Sequence, residues 1–166
     1  MLVAHHPSFE SPSDGSGGGF LSWPYFNSFI DVIVRLQRKR QIRASHQPDD
    51  VQFHDRCVVC TAALATYLGH PFSPVLANEL ARITEEAVYE HPVFFIRNLG
   101  FVTPTDARRI SFEETVRFEK VHEETYRNFG FELVSIEPGS LAERVSVIKA
   151  ATRSFLRKVH SVETPW

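Results

Sequence analysis

The sequence predicts an α/β fold of three layers, in which a mainly parallel sheet lies between helices. Short apolar runs typical of strands alternate with longer stretches of helical periodicity. The run at 92–96 is continuously apolar, as expected of a strand that is buried on both faces. Two serine-to-glutamate capping patterns, beginning at Ser111 and Ser140, mark the starts of helices.

The first half of the predicted domain contains three helices and one strand. A basic amphipathic helix is expected over residues 27–45, and its buried side is expected to consist of Phe29, Ile30, Ile33, Val34 and Leu36. A short strand at 51–53 follows, and then a helix at 57–68 that is closed by Gly69. The next helix, at 73–89, has Pro74 at its first position.

The second half contains two strands and two helices. After the strand at 92–96, a polar loop at 98–110 leads to a helix at 111–128 that Gly130 stops. A strand at 131–136 and a terminal helix of about four or five turns complete the prediction.

Composition indicates one folded domain with no strong electrostatic preference. Hydrophobic residues make up 43% of the 166, including 14 Phe. The net charge of −2 gives no reason to expect nucleic-acid or membrane partners, and no apolar run has the length of a membrane span. Residues 1–22, rich in Gly, Ser and Pro, are predicted to be a disordered arm, with the domain at 23–166. Two cysteines cannot form a disulfide framework, so cytoplasmic residence is expected.

Asp55 and Arg56 follow a predicted strand and precede a predicted helix. In parallel sheets, ligands collect beyond the carboxyl ends of the strands. A carboxylate there can hold a metal-bound water or accept a proton from a hydroxyl, and a guanidinium can bind phosphate. The alternative is an ordinary turn in which Asp55 caps the next helix.

Three further arginines fall at the same predicted edge of the sheet. Arg108 and Arg109 lie in a polar loop before a capped helix, where a closing lid would bring them to a phosphoryl group. Arg97, directly after the strand at 92–96, is a cofactor-binding candidate of the same kind. A solvated loop with weak surface ion pairs is the alternative.

Cys57 and Cys60 form a C-x-x-C motif at the start of a predicted helix. This context is typical of a redox pair, although two semi-buried structural thiols fit the intervening valines as well. Glu119 and His122 have the Glu-x-x-His spacing of bundle metal sites, but the sequence offers no second copy of the motif.

The sequence contains no G-x-x-x-x-G-K-[ST] motif, the glycine-rich loop that binds phosphate in P-loop proteins. Its glycine cluster, at 15–19, is not followed by Lys and Ser/Thr. We therefore expect the cluster to be a linker. The apolar residues 1–4 are too short and too polar-flanked to replace the missing strand, and at most weak pairing with the sheet is expected of them.

From residue 23 onward the chain resembles the AAA-type P-loop ATPases related to the nicotinamide-riboside kinase domain. The matching stretches are FIDVIVRLQRKRQIRA, VQFHDRCVVCTAALATYLGHP, VFFIRNLGFVTPTDARRISFEE, FEKVHEETYRNFGFELVSIE and SLAERVSVI. They occur in the order of the family. The resemblance departs from the family pattern at the front, where the first strand and the Walker A loop belong.

The resemblance implies a P-loop kinase-like sheet that lacks its first strand and P-loop, as a truncated or mis-started reading frame would produce. It implies ATP and Mg²⁺ as ligands and an unknown small-molecule acceptor. Asp55 would be the metal-water or base carboxylate, Arg56 a phosphate or substrate contact, and Arg108 and Arg109 lid arginines. A non-catalytic binding module and a thiol redox protein are the alternatives. Unpaired strand edges are expected to favour self-association.

Overall fold

The computed structural model describes residues 2–3, 23–47, 51–100 and 110–162. Five helices and a small parallel sheet make up this part of the chain, which confirms the predicted α/β class. In chain order the elements are β1 (Leu2–Val3), α1 (Trp23–Ala44), α2 (Val58–Tyr67), α3 (Pro74–Glu85), β2 (Pro92–Ile96), α4 (Phe112–Asn128), β3 (Glu132–Ile136) and α5 (Leu141–Val162).

The sheet is parallel and has the order β1-β2-β3. β2 pairs with β3 along its full length, from Pro92 opposite Glu132 to Ile96 opposite Ile136. Within the described residues, β1 pairs with two positions of β2, Phe94 and Phe95. The short apolar start of the chain thus pairs with the sheet. The finer three-layer arrangement stays a prediction.

Local sequence signals set where the helices begin. The Ser73 hydroxyl accepts a hydrogen bond from the Leu76 N–H at 3.1 Å, with Pro74 in the first turn of α3. Ser111 and Glu114 form the predicted capping box at α4. Ser140 and Glu143 bond reciprocally in front of α5, at 2.8 and 3.3 Å. Each cap satisfies N–H groups that the first turn leaves without an intrahelical acceptor.

The main core forms around α2, which packs against α1, α3 and α4. Seven of the ten residues of α2 are buried, because other helices cover it on several sides. Ile30 and Val34 of α1 face this core as predicted, and Phe26 extends the same stripe toward the amino end. Phe29 and Leu36 were predicted to be buried and are instead 39% and 46% exposed, because they lie beside the stripe and not on it.

Four predicted elements differ from the structure. α1 begins at Trp23 and not at residue 27. Residues 51–53 form no strand; their segment has one bridge residue, Asp55, since a strand needs a neighbour along its whole length. α3 ends at Glu85 and not at 89, because Ala87 turns into the left-handed region with φ of 47°. α5 extends for 22 residues, which is longer than the predicted four or five turns.

Several predictions concern residues outside the described part of the chain. Arg108 and Arg109 belong to this group, as does most of the predicted arm at 1–22. Among the helices that the structure describes, even those of 22 residues carry too much polar sequence to cross a membrane.

Candidate functional site

Asp55 and Arg56 line a cavity of 870 Å³ that lies between α1, α2 and α4. α1 contributes polar and apolar side chains, α2 contributes its first two turns, and α4 contributes Phe118 and His122. This volume is within the range of small-molecule and cofactor sites, about 300–1,000 Å³. The predicted Asp-Arg pair is therefore part of a concave site and not of a flat surface turn.

The backbone at Arg56 adopts a conformation that is rare for a residue with a side chain. Its φ is 64°, in the left-handed region that favours glycine. Such conformations cost free energy and persist where the surrounding structure requires them, often at functional sites. Here the turn places Arg56 and Asp55 on one wall of the cavity, directly before α2.

The N-cap of α2 is Cys57, and its side chain makes no capping hydrogen bond. The N-cap position is thus Cys57, two residues after Asp55, and a capping role of the Asp55 side chain stays an alternative prediction. The first turn of α2 also reaches the cavity, through Cys60 and Thr61. Because the amino end of a helix carries partial positive charge, this end of the cavity favours an anion.

Charged side chains reinforce that preference. Arg40 and Arg56 both line the cavity, and Asp55 is the acidic residue among the described residues that line it. Burial lowers the pKa of His54 below its usual value, so its imidazole is neutral at pH 7. Two guanidinium groups against one carboxylate leave a net positive charge at the wall.

Gln37 of α1 holds the start of α2 in place beside the cavity. Its Nε2 donates to the Cys57 carbonyl at 3.1 Å, and its Oε1 accepts from the Thr61 hydroxyl at 2.9 Å. Sequence reasoning missed Gln37. The signal was its position: it continues the inward stripe of Ile30 and Val34 at helical spacing, where a polar residue needs a buried partner.

Arg97 lies at the end of β2 as predicted, but its guanidinium is occupied by protein groups. It donates to Glu123 at 2.6 and 3.2 Å, to Glu119 at 3.2 Å and to the Ser135 hydroxyl. It also stacks over the Phe95 ring at 4.8 Å. These contacts join α4 to the carboxyl end of β2, the middle strand of the described sheet. A cofactor contact by Arg97 stays a prediction, and it would have to compete with them.

Glu119 and His122 do not act together as metal ligands in this arrangement. Glu119 accepts hydrogen bonds from Arg97 and from the Asn98 side-chain amide. His122 instead bonds the carbonyl of Phe118, one turn earlier in its own helix. Among the described residues, no group of three or more His, Cys, Asp or Glu is arranged to hold an ion.

A model of the family described as AAA domain matches residues 13–144, about four-fifths of the chain. The chain therefore belongs to this family. The matched range contains Asp55, Arg56, Arg97, Arg108 and Arg109. No curated protein and no solved structure matches the sequence. Membership of the family indicates a nucleotide-binding domain of the ATPase or kinase-like type, whose members generally bind ATP and Mg²⁺.

Proposed function

We propose that the cavity binds a nucleotide through Arg56 and Arg40, and that Asp55 serves phosphoryl transfer or hydrolysis there. One observation carries the proposal: the adjacent acidic and basic side chains of Asp55 and Arg56 line the same cavity as a second arginine, Arg40, directly before the start of α2. This combination supplies phosphate contacts and a carboxylate at one place. Family membership supports the same ligand class.

The residues at the cavity fit Mg²⁺ that is held largely by phosphate. Magnesium in nucleotide sites takes one or two carboxylates together with phosphate oxygens and water. Asp55 offers one carboxylate, and the described residues offer no separate cage of ligands. ATP would supply the transferable phosphoryl group, and Mg²⁺ would neutralise charge on its oxygens.

Each side chain of the site has a distinct role in this proposal. Arg56 and Arg40 bind and orient the phosphates from two sides. Asp55 accepts the proton of an acceptor hydroxyl or orients a water, and Arg108 and Arg109 close over the ligand as lid residues. The acceptor is a small hydroxylated molecule.

Binding is tested by saturation-transfer NMR with Mg-ATP, a method that detects weak ligands. Because the sequence has no G-x-x-x-x-G-K-[ST] motif, we expect a dissociation constant weaker than the micromolar range. Arg56→Ala should abolish the signal. Arg117→Ala, which removes an exposed arginine of α4, is the matched control and should keep it. Loss of signal in both variants, or in neither, would contradict binding at this cavity.

Catalysis is tested separately by ³¹P NMR of ATP turnover. Asp55→Asn should lower any turnover by about 10²- to 10⁴-fold, because it removes the charge that proton transfer needs. Nucleotide binding and the melting temperature should change little. Turnover in the variant equal to that of the natural chain would exclude Asp55 from the chemistry.

A binding module without catalysis is the second candidate function. The observation that favours it is the missing Lys-Ser/Thr pair, which contacts phosphate and Mg²⁺ in P-loop enzymes. Nucleotide signals that depend on Arg56, without measurable turnover, are the outcome that this candidate predicts.

A further inference from the structure

Cys57 and Cys60 are brought together under one buried hydroxyl. The Tyr126 Oη lies 3.4 Å from the Cys57 Sγ and 3.1 Å from the Cys60 Sγ. Both cysteines are free thiols. They occupy the N-cap and the first turn of α2, so the three-residue spacing places both sulfurs on the same side of the helix start.

Tyr126 is itself informative, because it is fully buried at 0% exposure. Its ring fills the core against Phe131, with ring centroids 5.6 Å apart. Phenylalanine would supply the same packing without a hydroxyl to desolvate. The hydroxyl instead points at two sulfurs, which are weak hydrogen-bonding groups. Core packing alone does not account for that arrangement.

Cys60 differs from Cys57 in access and in neighbours. Cys60 is 6% exposed and lines the cavity together with His122, whereas Cys57 is 0% exposed. The His122 Nδ1 lies 3.0 Å from the Phe118 carbonyl. A carbonyl only accepts, so this Nδ1 carries a proton and donates it to the carbonyl.

The thiols are polarised in opposite directions. Hydrogen bonds from Cys57, His122 and Tyr126 together outweigh burial and hold the pKa of Cys60 well below its usual range. Burial raises the pKa of Cys57. Because Cys60 lines the cavity whereas Cys57 is fully buried, the attacking thiolate would be Cys60, and Cys57 would be the second thiol of the pair.

We propose that Cys57 and Cys60 are a redox-active dithiol that exchanges with small disulfides admitted through the cavity. The Cys60 thiolate attacks one sulfur of the small disulfide; a new S–S bond forms and the first small thiolate leaves. Cys57 then gives up its proton and attacks the Cys60 sulfur, forming the Cys57–Cys60 bond and releasing the second small thiolate. The protein loses two electrons and two protons, and the small disulfide is reduced to two thiols.

Oxidised glutathione is the probe, with intact-mass spectrometry as the readout. The folded chain should lose the mass of two hydrogens without a stable adduct. Cys57→Ala should accumulate one glutathione adduct, because Cys60 can be attached but not resolved. Cys60→Ala should stay unmodified, since the remaining thiol is fully buried. Natural chain that keeps both thiols reduced, under conditions that oxidise it in urea, would overturn the proposal. An adduct on Cys60→Ala as rapid as that on Cys57→Ala would also overturn it.

Tyr126→Phe tests the positioning role of the hydroxyl through a redox equilibrium. The hydroxyl bonds the reduced thiols, so its removal should shift the equilibrium in glutathione buffers toward the disulfide, by about three- to tenfold. A cooperative melt confirms that the variant is folded. An unchanged equilibrium in a folded variant would contradict the role. These measurements need no nucleotide, so their failure is distinguishable from failure of the proposed nucleotide site.

Discussion

The hydroxyl of Thr61 donates a hydrogen bond to the side-chain oxygen of Gln37 at 2.9 Å, which joins α2 to α1 beside the candidate site. The other end of the same amide donates to the Cys57 carbonyl. Both ends of Gln37 are thus used on one turn of α2. Asp55 and Arg56 directly precede that turn. The two hydrogen bonds of Gln37 therefore fix the position of the backbone that carries these two side chains into the cavity.

Thr61→Val is expected to destabilise the fold by about 1–3 kcal/mol, because it leaves the oxygen of a part-buried amide without its donor. Adding Gln37→Met should cost less than the sum of the two single changes, since the orphaned amide is then gone. Urea unfolding of the four chains measures the coupling. Thr66→Val, an exposed change on the same helix, should have an effect within about 0.5 kcal/mol. Strictly additive losses at 37 and 61 would show that the bond contributes nothing.

Elements with their own local start signals were predictable from the sequence. Three helix starts depend only on hydrogen bonds between neighbouring residues, and the structure confirms each of them. They are the capping boxes at Ser111 and Ser140 and the start at Ser73-Pro74. The strand at 51–53 depended on a partner elsewhere in the chain, which local sequence does not specify. The early end of α3 depended on a left-handed alanine, Ala87, where no glycine marks the turn.

In the candidate site, too, the residues that local sequence reveals differ from those that only tertiary packing brings in. Asp55 and Arg56 are predicted from the sequence because they are adjacent and follow a predicted strand, although residues 51–53 form no strand in the structure. Gln37 reaches the site from a helix about 20 residues earlier, and Tyr126 meets the thiols across a separation of 66 to 69 residues. Such contacts arise from how the helices pack, so motif spacing does not reveal them.

Arg56→Gly tests the unusual backbone conformation that presents the site. Glycine adopts a φ of 64° without the Cβ penalty, so Arg56→Gly should be more stable than Arg56→Ala by about 1 kcal/mol. Both variants should lose nucleotide binding, because both lack the guanidinium. Thermal and urea unfolding give the comparison. Equal stability of the two variants would mean that the left-handed turn relaxes when Arg56 is removed.

Arg82→Met is expected to be strongly destabilising, because it leaves the carboxylate of Glu79 in the core of the α1–α3 contact. Glu79 is 4% exposed and receives hydrogen bonds from Arg82 at 2.8 to 3.2 Å, with Arg38 at 3.4 Å. Removal of one partner of a buried pair costs about 3–5 kcal/mol, and Arg38 should reduce that loss. The double variant Glu79→Gln with Arg82→Met should recover part of it.

The matched control for the Arg82 variant is Lys120→Met, which removes an exposed ion pair of 3.9 Å on α4. Its effect should stay within about 0.5 kcal/mol. If the loss in Arg82→Met were no larger than in this control, the buried pair would be energetically equivalent to a surface pair.

Stability in acid should depend on Glu123, which joins α4 to Arg97 at the carboxyl end of β2. Hydrogen bonds from Arg97, and then its charge and that of Arg127, lower the pKa of Glu123 below its usual value of 4.5. The folded state therefore keeps this carboxylate ionised at a pH where the unfolded chain takes up a proton. The resulting stabilisation is complete above about pH 4.5 and is lost as the pH falls through the lower folded pKa.

Glu123→Gln should cost about 1 kcal/mol at pH 7, and its difference in stability from the natural chain should shrink as the pH falls. Urea unfolding at a series of pH values from 7 down to below the folded pKa measures this difference. The control is Glu124→Gln, on the exposed side of α4, which should change stability little at pH 7. A difference between Glu123→Gln and the natural chain that stays constant as the pH falls would mean that the Arg97 contact acts through packing and not through charge.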